Sequence, residues 1–261
     1  MPPDQVLDIK NSIEEWSPTR SRDTTAIHIL VRWHVITNEN GVGDYSNQSI
    51  YNCMDLLNNN YIDHNFFFTL DTIDRTANTS WFNNWSDSNA QEGFQTLSYD
   101  PYHYLNIYTA DLNAIGLEGY SYLGNSLSAS SYMQSVNLDY RSLSAGWIIT
   151  HEVGHHLGLP HTFQGNCSEP NDGIADTPQH NESGIWTCNS NQDTCPNDPG
   201  NDPVSNYMNY SGTCQNEYTQ GQEEWQHYIT ENYHPGYLEN DFHYPLLSVN
   251  GLSYLQDTDG D

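Results

Sequence analysis

The sequence predicts an α/β fold, in full an α+β arrangement, with a twisted, mostly parallel sheet and its helices facing a loop-rich lobe across a cleft. Three observations carry this expectation. Strand-like and helix-like runs alternate as far as about residue 161. Turn-forming residues and four of the five cysteines crowd the stretch that follows. Between them lies the run His151-Glu152-Val153-Gly154-His155-His156-Leu157-Gly158-Leu159-Pro160-His161, apolar where a buried helix needs it.

Residues 1–23 are polar and contain proline, the composition of an arm laid on the surface, and residues 24–161 read as an upper lobe. Within 24–37, Ile27, Ile29, Val31, Trp33 and Val35 alternate as in a half-buried strand. Ile50, Met54, Leu57 and Tyr61 then recur as i, i+4, i+7, i+11, an amphipathic helix packed on that sheet. Cys53 falls in this helical pattern and reads as a buried free thiol. The apolar run 66–70 suits a central strand, and 76–98, rich in Asn and Ser, a long loop held by Trp81 and Trp85. Further strands are expected near 104–109, 120–123 and 133–138. The next helix should start near Ser144, a fair N-cap, and bury Ile148, Ile149, Val153 and Leu157.

Residues 162–243 read as a lower lobe of turns closed by one helix, in which Thr219 and Gln222 make a capping box and Trp225, Tyr228 and Ile229 a buried stripe. Residues 244–256 resemble a linker, and 257–261 the opening of a Gly-turned calcium loop cut short. A trimmed mature form, or a domain given Met1 as its start, is the expectation.

Six basic residues against 34 acidic ones give a formal charge of −28, which excludes nucleic acid and anionic membranes as partners. No transmembrane run is visible, so no membrane insertion is expected. No Lys or Arg follows Arg141. That lopsidedness fits self-protection by an enzyme cutting at basic residues, or, more simply, adaptation to saline surroundings. Cys167, Cys188, Cys195 and Cys214 read as two disulfides stapling a lobe poor in regular structure, which implies an oxidising, extracellular compartment. A metal site built on these cysteines would want a C-x-x-C pair, and there is none; the spacing alone leaves three pairings open.

The central run holds H-E-x-x-H-x-x-G-x-x-H. On a helix, His151 and His155 emerge on one face a turn apart. Gly158 can take the left-handed backbone that ends the helix, and Pro160 turns the chain so that His161 can return to the same ion. Three neutral imidazoles on tetrahedral zinc leave the fourth position for water, the arrangement of a catalytic site. Glu152 can reach that water, and a structural zinc needs no such carboxylate. At about 100° per residue His156 points elsewhere, to the rim or behind the ligands.

With Asn206-Tyr207-Met208-Asn209-Tyr210-Ser211 following roughly fifty residues later, the pattern resembles the metzincin clan of zinc endopeptidases. HEVGHHLGLPHTFQG, the Asp176-Thr177-Pro178 and Cys195-Pro196 pairs and NYMNYS resemble its pappalysin family, most strongly over 139–224 and back to about residue 24. The resemblance implies a metzincin-type two-lobed protease with a zinc helix. It places Met208 in a tight turn beneath the metal and Tyr210 beside it as a hydrogen-bond donor to the oxyanion. It also implies the pairings Cys167–Cys195 and Cys188–Cys214, and a calcium loop with Asp172, Asp176 and Thr177 as candidate ligands, against which stands a plain solvated acidic turn. A pro-segment cysteine plugs the zinc in latent relatives; nothing upstream of Cys53 could do so, so the pro-segment is expected to have been cleaved off. Several relatives prefer basic residues after the cut, yet 211–216 offers no acid to receive them.

The expected function is hydrolysis of internal bonds of protein and peptide substrates, with Glu152 moving the proton and 119–124 as the strand edge that pairs with the substrate backbone. A silent zinc-fold binding or adhesion module would need neither Glu152 nor Tyr210. An astacin-like metzincin would lack the Cys188/Cys195 loop and the Asp-Thr-Pro segment.

Overall fold

A computed structural model describes residues 1–16, 26–86 and 90–239. Strand β1 (Ile27–Thr37) is an interior strand of its sheet. Strands β2 (Phe66–Ala77) and β3 (Tyr104–Ala110) pair with β1 in parallel on its two sides. Strand β5 (Ser135–Asp139) joins β3 in parallel, and β4 (Gly119–Ser121) closes that edge antiparallel to β5. The order is β2-β1-β3-β5-β4, a mostly parallel sheet.

Both faces of β1 are covered, so it is a central strand and not the half-buried one its alternation suggests. Ile27, Ile29, Val31, Trp33 and Val35 enter the main core, while Ile36 faces a second one. The alternation records polarity, not exposure: His34 is only 1% exposed, its ring nitrogens 2.9 Å from Asp74 Oδ1 and 2.9 Å from Asn106 Oδ1. Conversely, 66–70 belongs to an edge strand. Its apolar half packs inward, and the strand runs on through polar residues that the apolar window misses.

Helix α2 (Asn47–Tyr61) buries Ile50, Cys53, Met54, Leu57 and Tyr61 against the sheet. Of the stretch 76–98, residues 76–86 and 90–98 are described, and they hold regular structure where a loop was expected. β2 runs to Ala77, and helices α3 (Thr79–Asn83) and α4 (Gln91–Leu97) follow. Between them the buried Trp85 donates from Nε1 to Asn137 Oδ1 at 2.8 Å. These helices supply Phe82 and Phe94 to the second core.

Residues 3–15 of the expected arm are helical and largely exposed. They form helix α1 (Pro3–Glu15), with Val6 and Ile9 buried and Ile13 packed on the main core. Three inward-facing apolar positions on a polar helix, with Leu7 exposed, are a faint stripe.

Helix α5 (Gly146–His156) starts two residues after Ser144, which is exposed and caps nothing; Ala145 holds the N-cap position. Helix α6 (Gln220–Tyr233) carries the Thr219/Gln222 capping box and buries Trp225 and Ile229, with Tyr228 half-buried. Cys167 pairs with Cys195 and Cys188 with Cys214, at Cα separations of 5.5 and 5.8 Å. Cys53 is a buried free thiol. No described helix is long and apolar enough to cross a membrane. The expected linker and calcium-loop-like tail lie outside the described residues.

Candidate active site

Helix α5 is covered on nearly every side, with Thr150 and Val153 fully buried and His151 and Glu152 exposed by only 7% and 6%. It ends in a Schellman turn: Leu159 N donates to Gly154 O at 2.9 Å and Gly158 N to His155 O at 2.8 Å, with Gly158 at φ 89°. Trp225 Nε1 of α6 donates to Gly158 O at 2.9 Å and fixes that turn. The chain then brings His161 back to α5.

The result is a convergence of three imidazoles. His161 Nε2 lies 3.2 Å from His151 Nε2 and 3.0 Å from His155 Nε2. His151 Nδ1 donates to Tyr207 O at 2.6 Å, and His155 Nδ1 to Leu159 O at 2.7 Å. Those bonds fix the tautomers, so both Nε2 atoms carry lone pairs aimed at a common point. Tetrahedral zinc with bonds of about 2.0–2.1 Å separates its nitrogen ligands by roughly 3.3 Å, and the donor set fits that ion. Among the described residues these three form the group of His, Cys, Asp and Glu side chains able to share a metal. Burial lowers all three pKa values, His151 to about 4 and His155 to about 3, which keeps the rings neutral as ligands. His161 is oriented differently, by stacking on Phe163 at 4.7 Å and 12°.

Glu152 sits in the same cleft wall under β4. A Cβ on Gly119 would come within 2.7 Å of Glu152 Cγ, so only glycine lets the strand pass there. Glu152 Oε2 is buried without a hydrogen-bond partner, and burial raises the carboxyl pKa to about 8. A cation at the three imidazoles favours the ionised form of such a group. Tyr210 packs 4.7 Å from His161 and 5.6 Å from His151, centroid to centroid. Burial, then the charges of Glu152 and Glu182, raise its pKa to about 12, so it holds its proton at neutral pH.

Met208 is fully buried beneath α5. A Cβ on Gly154 would stand 2.6 Å from Met208 Sδ and 2.7 Å from Tyr218 Oη, so glycine in the second variable place of the motif allows the approach. The turn is pinned by three side chains, of which only Gln215 went unmarked in the sequence. Asn206 Oδ1 accepts from Met208 N at 2.8 Å, its amide exchanges two hydrogen bonds with Gln222, and Gln215 Nε2 donates to Tyr207 O at 2.7 Å. His156 is no rim residue. It is buried on the far side, its Nε2 2.8 Å from Tyr237 Oη.

In the acidic loop, Asp172 is fully buried and accepts from Thr177 Oγ1 and from Ile174 N at 3.0 Å; burial raises its pKa to about 7. The neighbouring Asn171 Oδ1 is buried without a partner. Asp176 accepts from Thr219 Oγ1 at 2.7 Å and from Gly221 N at 2.8 Å at the start of α6.

The cleft above the imidazoles has a volume of about 520 Å³, within the range that receives a ligand of several residues. β4 forms one rim, and Asn209, Gly212 and Gln215 another part of the wall. Trp147 and Trp186 also line it, and no pattern in the sequence singled out either.

A family model described as Pregnancy-associated plasma protein-A matches residues 88–227. An extracellular metalloprotease of Neurospora crassa is 35% identical over 211 residues, 75% of this chain and 72% of that protein. One from Sordaria macrospora is 34% identical over 212 residues, 76% and 72% of the two chains. Among solved structures, mature mirolysin of Tannerella forsythia in complex with a cleaved peptide superposes with a TM-score of 0.65 at 25% identity, over 78% of this chain and 91% of that one. A mutant of promirolysin from the same organism shares the fold with a TM-score of 0.72 at 24% identity, over 90% of each chain.

Proposed function

The chain belongs to the pregnancy-associated plasma protein-A family of peptidases, the pappalysins, and is a zinc metalloendopeptidase; from that premise we propose how its own residues carry the reaction. His151, His155 and His161 hold the zinc. When bound, the ion supplies an activated water at neutral pH and polarises the scissile carbonyl. Glu152 Oε2 takes the proton from the attacking water and hands it to the departing amine, a contribution of about 10²–10⁴ in rate. The Tyr210 hydroxyl donates a hydrogen bond to the oxyanion. Met208 is the apolar floor beneath the three rings. The substrate lies extended and pairs with the open edge of β4. Residues 24–161 act as the upper lobe and 162–243 as the lower.

The observation that carries this reading is the buried, unpartnered Glu152 Oε2 in the wall of the cleft that holds three converging Nε2 atoms. The test is casein cleavage by the zinc-loaded protein. Chelator and Glu152→Ala should each abolish it, while Glu152→Ala retains one zinc per chain by elemental analysis. Hydrolysis that persists in Glu152→Ala removes the mechanism.

The enzyme works outside the cell, a reading supported by its extracellular relatives and its two disulfides. Its substrates are proteins and peptides, and a pro-segment is removed on activation, as the likeness to promirolysin supports. Calcium, by our reading, binds the acidic loop through Asp172, Asp176 and Thr177. The buried Asp172 carboxylate and the unpartnered Asn171 Oδ1 suit a hard cation, and Asp176 caps the N-terminus of α6 beside the same loop. Calcium should raise the Tm, and Asp172→Ala should erase the rise; a Tm indifferent to calcium in the parent chain removes the site.

A further inference from the structure

Trp186 is left unused by this mechanism. It is the most exposed large apolar side chain among the described residues, at 78%, yet it does not sit on a loose loop. Ile185 before it is buried, and Cys188 two places on is bonded to Cys214. The turn before it is tied as well: Asn181 Oδ1 accepts from Ser183 N at 2.9 Å, and Gln192 Nε2, held by Asp202, donates to Gly184 O at 2.8 Å. The indole packs against Tyr210 at 5.2 Å and 30°, and its remaining surface borders the cleft. Leu117, 42% exposed on the segment entering β4, lines the same cleft.

An anchored side chain that keeps an apolar face in water is pre-organised: covering it releases water at no cost in ordering the loop. We propose that Trp186 is a specificity-determining residue, an aromatic platform for a bulky apolar side chain of the substrate close to the scissile bond. This rests on the endopeptidase reading and names the substrate feature it selects. By way of Tyr210 the indole lies within about 10 Å of the His161 ring. An extended peptide advances about 3.3 Å per residue, so the selected side chain lies within three positions of the cut. Stacking and burial on one open face are worth about tenfold in selection.

The test uses the full zinc-loaded chain and quenched-fluorescence peptides that differ only in carrying Phe, Leu, Ser or Ala at each of those positions. The parent enzyme should prefer Phe or Leu about tenfold in kcat/KM at one of them. Trp186→Ala should flatten that preference through KM, with a smaller loss on the alanine peptide, and Trp186→Phe should restore part of it. A preference that survives Trp186→Ala overturns the proposal. So does a fall in kcat equal on every peptide, which would make Trp186 only a buttress of Tyr210. Casein cleavage that requires Glu152 while selectivity ignores Trp186 sinks this inference alone; no cleavage by the parent enzyme sinks the endopeptidase reading with it.

Discussion

Gly154→Ala sets two opposed effects against each other at one atom. On an open helix the change stabilises a protein by about 0.4–1 kcal/mol, because alanine has less freedom to lose on folding. Here the new Cβ would meet Met208 Sδ at 2.6 Å and Tyr218 Oη at 2.7 Å, where contacts to carbon settle near 3.5–4.0 Å. Both neighbours are buried, Met208 fully and Tyr218 to 6% exposure, so there is little room to yield. Tyr218 Oη donates to Thr150 O at 2.6 Å and lies 3.0 Å from Tyr61 Oη, and Met208 N is held by Asn206 Oδ1 at 2.8 Å. Overlap of about 1 Å on two sides is overpacking worth about 1–3 kcal/mol. After the propensity gain is subtracted, a net loss of about 1–2 kcal/mol remains. Urea unfolding at neutral pH, on zinc-loaded and chelated protein, reads it directly. Met208→Ala alone should cost about 2–5 kcal/mol, and the double variant should cost less than the sum by at least about 1 kcal/mol. A Gly154→Ala protein as stable as the parent, or strictly additive losses, would refute the reasoning.

Phe163→Ala removes the ring that stacks on His161, so zinc affinity should fall about 10–100-fold in competition with a chelator; an unchanged Kd would show that the loop alone orients the third ligand. Acid should destabilise the fold through His234, which burial holds at about 4 against 6.5 in the unfolded chain. Between those values the unfolded state binds the proton and the folded state does not, so stability is full above pH 6.5 and is lost as pH falls toward 4, by about 3 kcal/mol. In chelated protein, His234→Leu should give a shallower fall of stability over that window than the parent; parallel slopes would contradict this.

The sequence was most legible where chemistry dictates residue types. Two imidazoles a turn apart, a glycine to break the helix and a third imidazole after a proline leave few other uses for that combination. Periodicity was weaker evidence, because it records polarity and not coverage. In β1 the polar positions looked solvated, but His34 is buried between Asp74 and Asn106. In β2 the apolar half suggested a centre that the complete strand does not occupy. The helices α1, α3 and α4 escaped because two are very short and the third packs only Val6, Ile9 and Ile13 inward from a polar background, with Leu7 left exposed. Each is stabilised by partners far along the chain, which no local window contains.

The same limit operates inside the motif. H-E-x-x-H names two imidazoles and a carboxylate and treats the places between them as free, yet Gly154 fills one such place and Met208 and Tyr218 close on it. A helix buried on all sides has no polar face to betray its orientation. Its packing partners are therefore selected by where side chains are missing. Gly119 over Glu152, Gly154 over Met208 and Gly158 under Ile229 mark three directions from which other elements press on α5 and the turn that ends it. Each missing Cβ lets a catalytic or supporting group come closer than any side chain would allow. The rigidity of the three imidazoles is thus written in the glycines around them as much as in the histidines.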